Sequence, residues 1–161
     1  MYLYNVMKKI CIVHHNTPYM TECLVKSINK YTPDCHIYIF DNSDKEPFTY
    51  KQDNLTVFDN TQGQIINFDK WLRQFSNKGG EASGKYISAK HCISVDKCMD
   101  LINDNFILMD SDILLKQDIS NLFDNTYMYI GEVTENEKQI GRLLPFLCFI
   151  NTNKCKENGI R

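Results

Sequence analysis

The sequence predicts an α/β domain: a mostly parallel sheet covered by helices on both faces. Three observations point there. The run Phe106-Ile-Leu-Met109 is apolar without alternation and stops abruptly at Asp110-Ser-Asp112, as a doubly covered strand does when its carboxyl end opens onto a cleft. Two further short runs, Ile10-Cys-Ile-Val13 and His36-Ile-Tyr-Ile-Phe40, are separated by a helical pattern. Strand, helix and strand thus fit within about 30 residues, the length of a right-handed parallel crossover unit. Finally, 161 residues with a hydrophobic share of 43% supply a sizeable core for one domain.

Each element has its own local reason. Ile10 to Val13 follows Lys8-Lys9 and ends at His14-His-Asn-Thr17, a strand and the loop at its carboxyl end. Thr17 stands where a helix cap belongs and Pro18 where a first helical residue belongs, while Met20, Cys23, Leu24, Ser27 and Ile28 recur at helical spacing until Tyr31-Thr-Pro33. The second strand, His36 to Phe40, ends in the turn-rich Asp41-Asn-Ser-Asp44. Leu55 to Phe58 predicts a third strand, and Asp59 to Gly63 a loop leading to a helical stripe of Ile65, Ile66, Phe68, Leu72 and Phe75 that carries Trp71. Ser76 to Gly84 is a polar loop. Lys85 to Asn103 predicts a long helix with Tyr86, Ile87, Ile93, Cys98, Met99 and Ile102 on its apolar face, delivering the chain to the acidic strand. Beyond it, Ile119 to Phe123 predicts one helical turn, and Thr126 to Ile130 and Pro145 to Ile150 two more strands, with the charged stretch Glu132 to Arg142 between them. No repeat or linker divides the chain.

Composition narrows the function. A net charge of −2, from 18 basic and 20 acidic residues, gives no global electrostatic case for nucleic acid. Any phosphate binding is local. The 7 cysteines are scattered among apolar positions with no C-x-x-C pair, which reads as reduced thiols of a cytoplasmic protein. No apolar stretch reaches the roughly 18 residues of a membrane span, and the amino terminus does not have the charge order of a secretion signal.

Three strand ends carry polar groups: His14 to Thr17, Asp41 to Asp44, and Asp110 to Asp112. In a parallel sheet these ends share an edge and converge on one pocket. An isolated Asp-x-Asp is often a turn or a helix cap; the convergence raises this one above that background. Two hard oxygen donors one residue apart suit Mg²⁺ or Mn²⁺, which keep several waters and take one or two carboxylates plus substrate phosphates. His14, His15 and His91 lack the paired spacing of a zinc site, and the chain has neither a G-x-G-x-x-G after its first strand nor a P-loop.

In the order of these parts the chain resembles the nucleotide-sugar-binding half of GT-A fold glycosyltransferases. Ile10-Cys-Ile-Val-His-His-Asn-Thr17, Ile37-Tyr-Ile-Phe-Asp-Asn-Ser43, the helix entry Ser83-Gly-Lys-Tyr86 and Phe106-Ile-Leu-Met-Asp-Ser-Asp-Ile113 carry the resemblance, which covers roughly residues 8 to 152. It implies a Rossmann-like, nucleotide-diphospho-sugar-binding sheet as a single domain over 1–161, with the acceptor half short or missing. It implies a loop of His14, Asn16 and Thr17 around the nucleoside, and Asp41 on the base or ribose. Lys85 or Ser88 would face the nucleotide from the helix entry, with Asp110 and Ser111 beside it. Asp110 and Asp112 would bind the divalent cation, Mn²⁺ or Mg²⁺, that bridges the diphosphate. The implied reaction moves a sugar to a hydroxyl acceptor, a glycan or lipid-linked precursor at the cytoplasmic face, with peripheral membrane association. The catalytic residue stays unassigned; Glu132, Glu135 and Glu137 are candidates for a base by position alone. A non-catalytic domain that binds nucleotide or a partner chain is the alternative, with homodimerisation through an open strand edge near Pro145 to Ile150 as one outcome.

Overall fold

Strand ladders run a residue or two past the apolar runs, because pairing is made by backbone groups and does not stop where the apolar side chains stop. In the computed structural model, which describes residues 7–68, 82–134 and 142–160, the order is β1 (Lys8–His14), α1 (Pro18–Tyr31), β2 (Cys35–Asp41), β3 (Leu55–Asp59), α2 (Ala82–Ile102), β4 (Phe106–Asp110), a 3-10 turn (Ser120–Leu122), β5 (Tyr129–Thr134), β6 (Arg142–Ile150) and α3 (Thr152–Glu157). The strands form one six-stranded sheet in the order β3-β2-β1-β4-β6-β5. β3, β2, β1 and β4 run parallel, and β6 pairs antiparallel with both β4 and β5.

Both faces of the sheet are packed, and strand alternation divides the core in two. Ile10, Ile12, Ile37, Ile39, Ile107, Met109 and Phe149 meet Leu24, Val25 and Ile28 of α1 on one face. Cys11, Phe40, Phe106, Leu108, Cys148 and Ile150 meet Cys98, Met99 and Ile102 of α2 on the other, with Ile66, Phe68 and Cys155. The helices take opposite faces because the two right-handed crossovers run in opposite directions along the sheet: α1 leads from β1 to β2 on one side of it, and α2 leads from β3 back past β2 and β1 to β4. Fully burying an isoleucine of this kind is worth about 1.5–3 kcal/mol.

Several expectations change. Pro18 does occupy the first turn of α1, but Thr17 makes no side-chain capping bond there. Ile65 to Phe68 are not helical, although Ile66 and Phe68 are buried. Trp71, Leu72, Phe75 and the loop residues 76–81 lie outside the described residues, whereas Ala82 to Gly84, expected in that loop, already belong to α2. The strand expected at Thr126 to Ile130 starts at Tyr129 instead, because the Asp124 carboxylate accepts the Thr126 N–H at 2.8 Å and holds the preceding residues in a turn. Glu132 therefore sits within β5 rather than in a polar connection. β6 is interior, with ladders to β4 over Leu147 to Ile150 and to β5 on its other side, so the sheet edge expected near Pro145 to Ile150 is formed by β5 instead. α3 was not expected; Asn151 caps it by accepting the Lys154 N–H at 3.0 Å. No helix among the described residues is long and apolar enough to cross a membrane.

Candidate functional site

β1 is the point at which the parallel strand order reverses, and the crevice outside its carboxyl end is where open sheets of this kind bind ligands. A cavity of about 370 Å³ lies there. Val13 and His15 come from the end of β1, Asn42 and Asp44 from the loop after β2, Lys90 and His91 from α2, and Asp110, Ser111 and Asp112 from the end of β4. A second recess of about 280 Å³ shares Asn42, Asp44 and Lys90, and extends to the loop Asn60 to Gly63 and to Phe68. A larger cavity, about 470 Å³, opens at the amino ends of the strands around Pro33, His36 and Asn54, remote from the acid pair.

Strand parity selects the groups that reach the cleft. Phe106, Leu108 and Asp110 alternate onto the α2 face, so Asp110 is half-buried beside His91. Burial is the main cause that pushes the Asp110 carboxyl above its ordinary value; His91 opposes the rise and Asp112 adds to it. His91 is lowered, chiefly by burial, with Asp110 opposing. Its Nε2 is shielded from solvent and has no hydrogen-bond partner. Asp112 is exposed. Lys90 stands 5.0 Å over the Phe68 ring.

A buried amide relay fixes α2 against the loops. Asn60 Nδ2 donates to Asn42 Oδ1 at 2.8 Å, and Asn42 Nδ2 donates to Ser94 Oγ at 2.8 Å. Ser94 in turn donates to the Lys90 carbonyl at 2.7 Å. The Asn60 Oδ1 accepts the N–H groups of Ile65 at 2.9 Å and Ile66 at 2.7 Å, which shapes the recess wall.

Of the residues expected at the site, Asp110, Ser111 and Asp112 line the cavity. Thr17 supports it from below, its Oγ1 lying 3.2 Å from Ser111 Oγ and so tying the β1 loop to the acid loop. Asn16 works as a clasp: its Oδ1 accepts the N–H groups of Asp44 at 3.2 Å, Lys45 at 3.0 Å and Glu46 at 3.0 Å, while its Nδ2 donates to the Asp44 carboxylate. That bond is the main cause holding the Asp44 carboxyl below its ordinary value. Asn16 has φ 54°, a left-handed conformation that asparagine tolerates better than most residues.

His14 and Asp41 do not reach the cavity. They are register partners on the parity of Ile10, Ile12, Ile37 and Ile39, and so face α1. The His14 side chain is fully buried, with Nδ1 2.8 Å from Thr21 Oγ1, and burial lowers its pKa despite the nearby Asp41. Asp41 accepts the Ser43 N–H at 2.9 Å and the Phe48 N–H at 2.8 Å, one on each oxygen. Its carboxylate holds the loop and does not line the cavity. Lys85 and Ser88 lie in the opening turns of α2, and their side chains are outside the described residues, as are Glu135 and Glu137. Glu132 is exposed on β5 and does not line the cavity.

Lys90 and His91 line the cleft without a place there expected from the sequence, while His15, Asn42 and Asp44 lie in the strand-end stretches expected to converge on it, with no individual role expected of them. Parity held part of the signal: His15 shares a face with Cys11 and Val13, and Asn42 with Tyr38 and Phe40, as Asp110 does with Leu108. The His15 ring is oriented by donating from Nδ1 to the Asn42 carbonyl at 3.0 Å. Among the described residues no group of three or more histidine, cysteine, aspartate or glutamate side chains is assembled for a metal. Two carboxylates with open space before them do fit a hard dication that keeps its waters and takes substrate phosphates.

No family model matches the chain, and no curated protein matches it. Among solved structures it is similar to the apo form of the bifunctional glycosyltransferase WbbM, with 11% sequence identity and a TM-score of 0.48. The similarity covers 99% of this chain and 34% of that one, so the chain spans about a third of that protein's length.

Proposed function

We propose that this chain is the donor-binding domain of a metal-dependent glycosyltransferase, holding a nucleotide-diphosphate sugar in the cleft above β1 and β4. One observation carries the reading: Asp110, Asp112 and Lys90, two hard-cation ligands and a cation, line one cavity at the switch point of a parallel sheet. A diphosphate with its countercation needs that mixture of charges. Asp110 and Asp112 would hold Mg²⁺ or Mn²⁺, which when bound acts as a Lewis acid toward the departing diphosphate.

The chain's own residues divide the remaining work. Lys90 offers positive charge to the diphosphate where it leaves the acid pair. Ser111, tied to Thr17, fixes the loop that carries both acids. The recess lined by Thr61, Gln62 and Phe68, held in shape by the Asn42–Asn60 relay, accepts the nucleoside. The sugar is moved to a hydroxyl of a glycan or lipid-linked precursor, met at the cytoplasmic face of a membrane.

Thermal unfolding with Mn²⁺ alone, UDP alone and both together tests the reading. Ligand at about 100 times its Kd stabilises the fold by about 2.7 kcal/mol. The combined shift is expected to exceed the sum of the separate ones. The proposal fails if no nucleoside diphosphate raises the Tm with or without metal.

A further inference from the structure

His91 is the one histidine whose structure leaves a buried ring nitrogen idle. His14 is bonded to Thr21, His15 to the Asn42 carbonyl and His36 to Thr56, whereas the shielded Nε2 of His91 has no partner. A buried polar atom normally finds a partner, and leaving it without one is costly. The other such atom among the described residues, Asn105 Oδ1, belongs to a side chain that already bonds Asn125 at the opposite end of β4. Of the two side chains, His91 is the one that lines the cleft.

Its surroundings explain why nothing inside the chain satisfies it. His91 lines the acid cavity and also borders an apolar recess of about 450 Å³ with Met99, Leu108, Tyr129 and Ile150. On that side there is little to hydrogen-bond. Asp110 is near enough to influence its charge, yet no hydrogen bond joins the two side chains. Nor is a third metal ligand the natural role, since no such three-residue group is assembled among the described residues. What the cleft does bring beside His91 is Lys90, from the same turn of α2. A lysine supplies charge without direction; an imidazole N–H supplies a directed donor to an anionic oxygen.

We propose that His91 is a substrate-contacting residue: when a diphosphate binds, the ring turns to bring its shielded Nε2–H into the cleft, where it donates to a phosphate oxygen and sets the orientation of the diphosphate between Lys90 and the acid pair. This rests on reading the cleft as a diphosphate site. It adds a contact from the third turn of α2 that neither the Asp-Ser-Asp pair nor the loop after β1 supplies.

Calorimetric titration of Mg²⁺ with inorganic pyrophosphate tests it without assuming a base or a sugar. His91→Ala and His91→Phe should weaken pyrophosphate about tenfold, the factor for losing a hydrogen bond to a charged group. His91→Gln, which keeps an N–H donor at similar reach, should stay within about threefold of the wild type. His91→Phe should also raise the Tm of the ligand-free protein, because the idle nitrogen is gone and the ring volume remains. If wild type binds pyrophosphate and the Ala and Phe variants bind it within twofold, the inference falls while the diphosphate reading stands. Equal weakening in Gln and Ala would also overturn it, since the ring would then act by packing. No pyrophosphate binding by the wild type would remove the diphosphate reading and this contact together.

Discussion

Asp41→Asn separates a loop-building role from a ligand-binding one. The Asp41 side chain is 2% exposed, and each of its oxygens accepts one backbone N–H, from Ser43 at 2.9 Å and from Phe48 at 2.8 Å. An asparagine keeps one acceptor and turns an NH₂ group toward the other N–H, so one buried donor loses its partner. A lost hydrogen bond to a carboxylate costs about 1.5–3 kcal/mol. For a chain of this size each kcal/mol lowers the Tm by about 2–4 °C, so a fall of roughly 4–8 °C is expected for a loss near 2 kcal/mol. Asp41→Ala removes both acceptors and should fall further. Urea unfolding should show a lower midpoint with an unchanged slope, because the same surface is exposed. UDP affinity, measured well below the Tm, should stay within a few-fold of the wild type. A Tm within about 1 °C of the wild type together with a loss of UDP binding beyond about tenfold would refute the reasoning, and would return Asp41 to the ligand.

The other predictions follow the same geometry. Asp112→Asn should leave stability within about 0.5 kcal/mol, since the side chain is exposed, and should remove the Mg²⁺- or Mn²⁺-dependent part of UDP affinity; retention of that metal-dependent gain in calorimetry would rule out Asp112 as a ligand. Asn16→Ala should be less stable than Asn16→Gly by about 1 kcal/mol in urea unfolding, because both lose the clasp on Asp44 to Glu46 but only glycine is at ease at φ 54°. Burial lowers the folded-state pKa of His14, His36 and His91 from 6.5, so below that pH the unfolded chain binds more protons and stability falls as the solution is acidified. Asp110, raised by burial, works in the opposite sense, so the comparison is best made in Asp110→Asn; a urea midpoint there that rises from pH 7.5 to 5.5 would contradict the histidine placements.

Local chemistry in the sequence was enough for β1, α1, β2 and β3 and for the acid pair at the end of β4. Unalternated apolar runs, Pro18 at a helix start and Asp110-Ser-Asp112 at a strand end act over a few residues, and those signals survive folding unchanged. The second half was read less well, because β5 is displaced by the Asp124 turn and α3 depends on an Asn151 cap whose side chain is also held by the carbonyls of Asn125 and Tyr127. Which face of the sheet the cleft opens on was decided by tertiary structure alone. His14 and His15 are equally polar neighbours at one strand end, yet one is sealed against Thr21 of α1 and the other faces the cavity. A strand buried on both faces is apolar at both parities, so its sequence does not record which face belongs to which helix. That assignment comes from the placement of β2 and β4 on opposite sides of β1, which puts α1 behind His14 and Asp41 and brings Lys90 and His91 of α2 over Asp110.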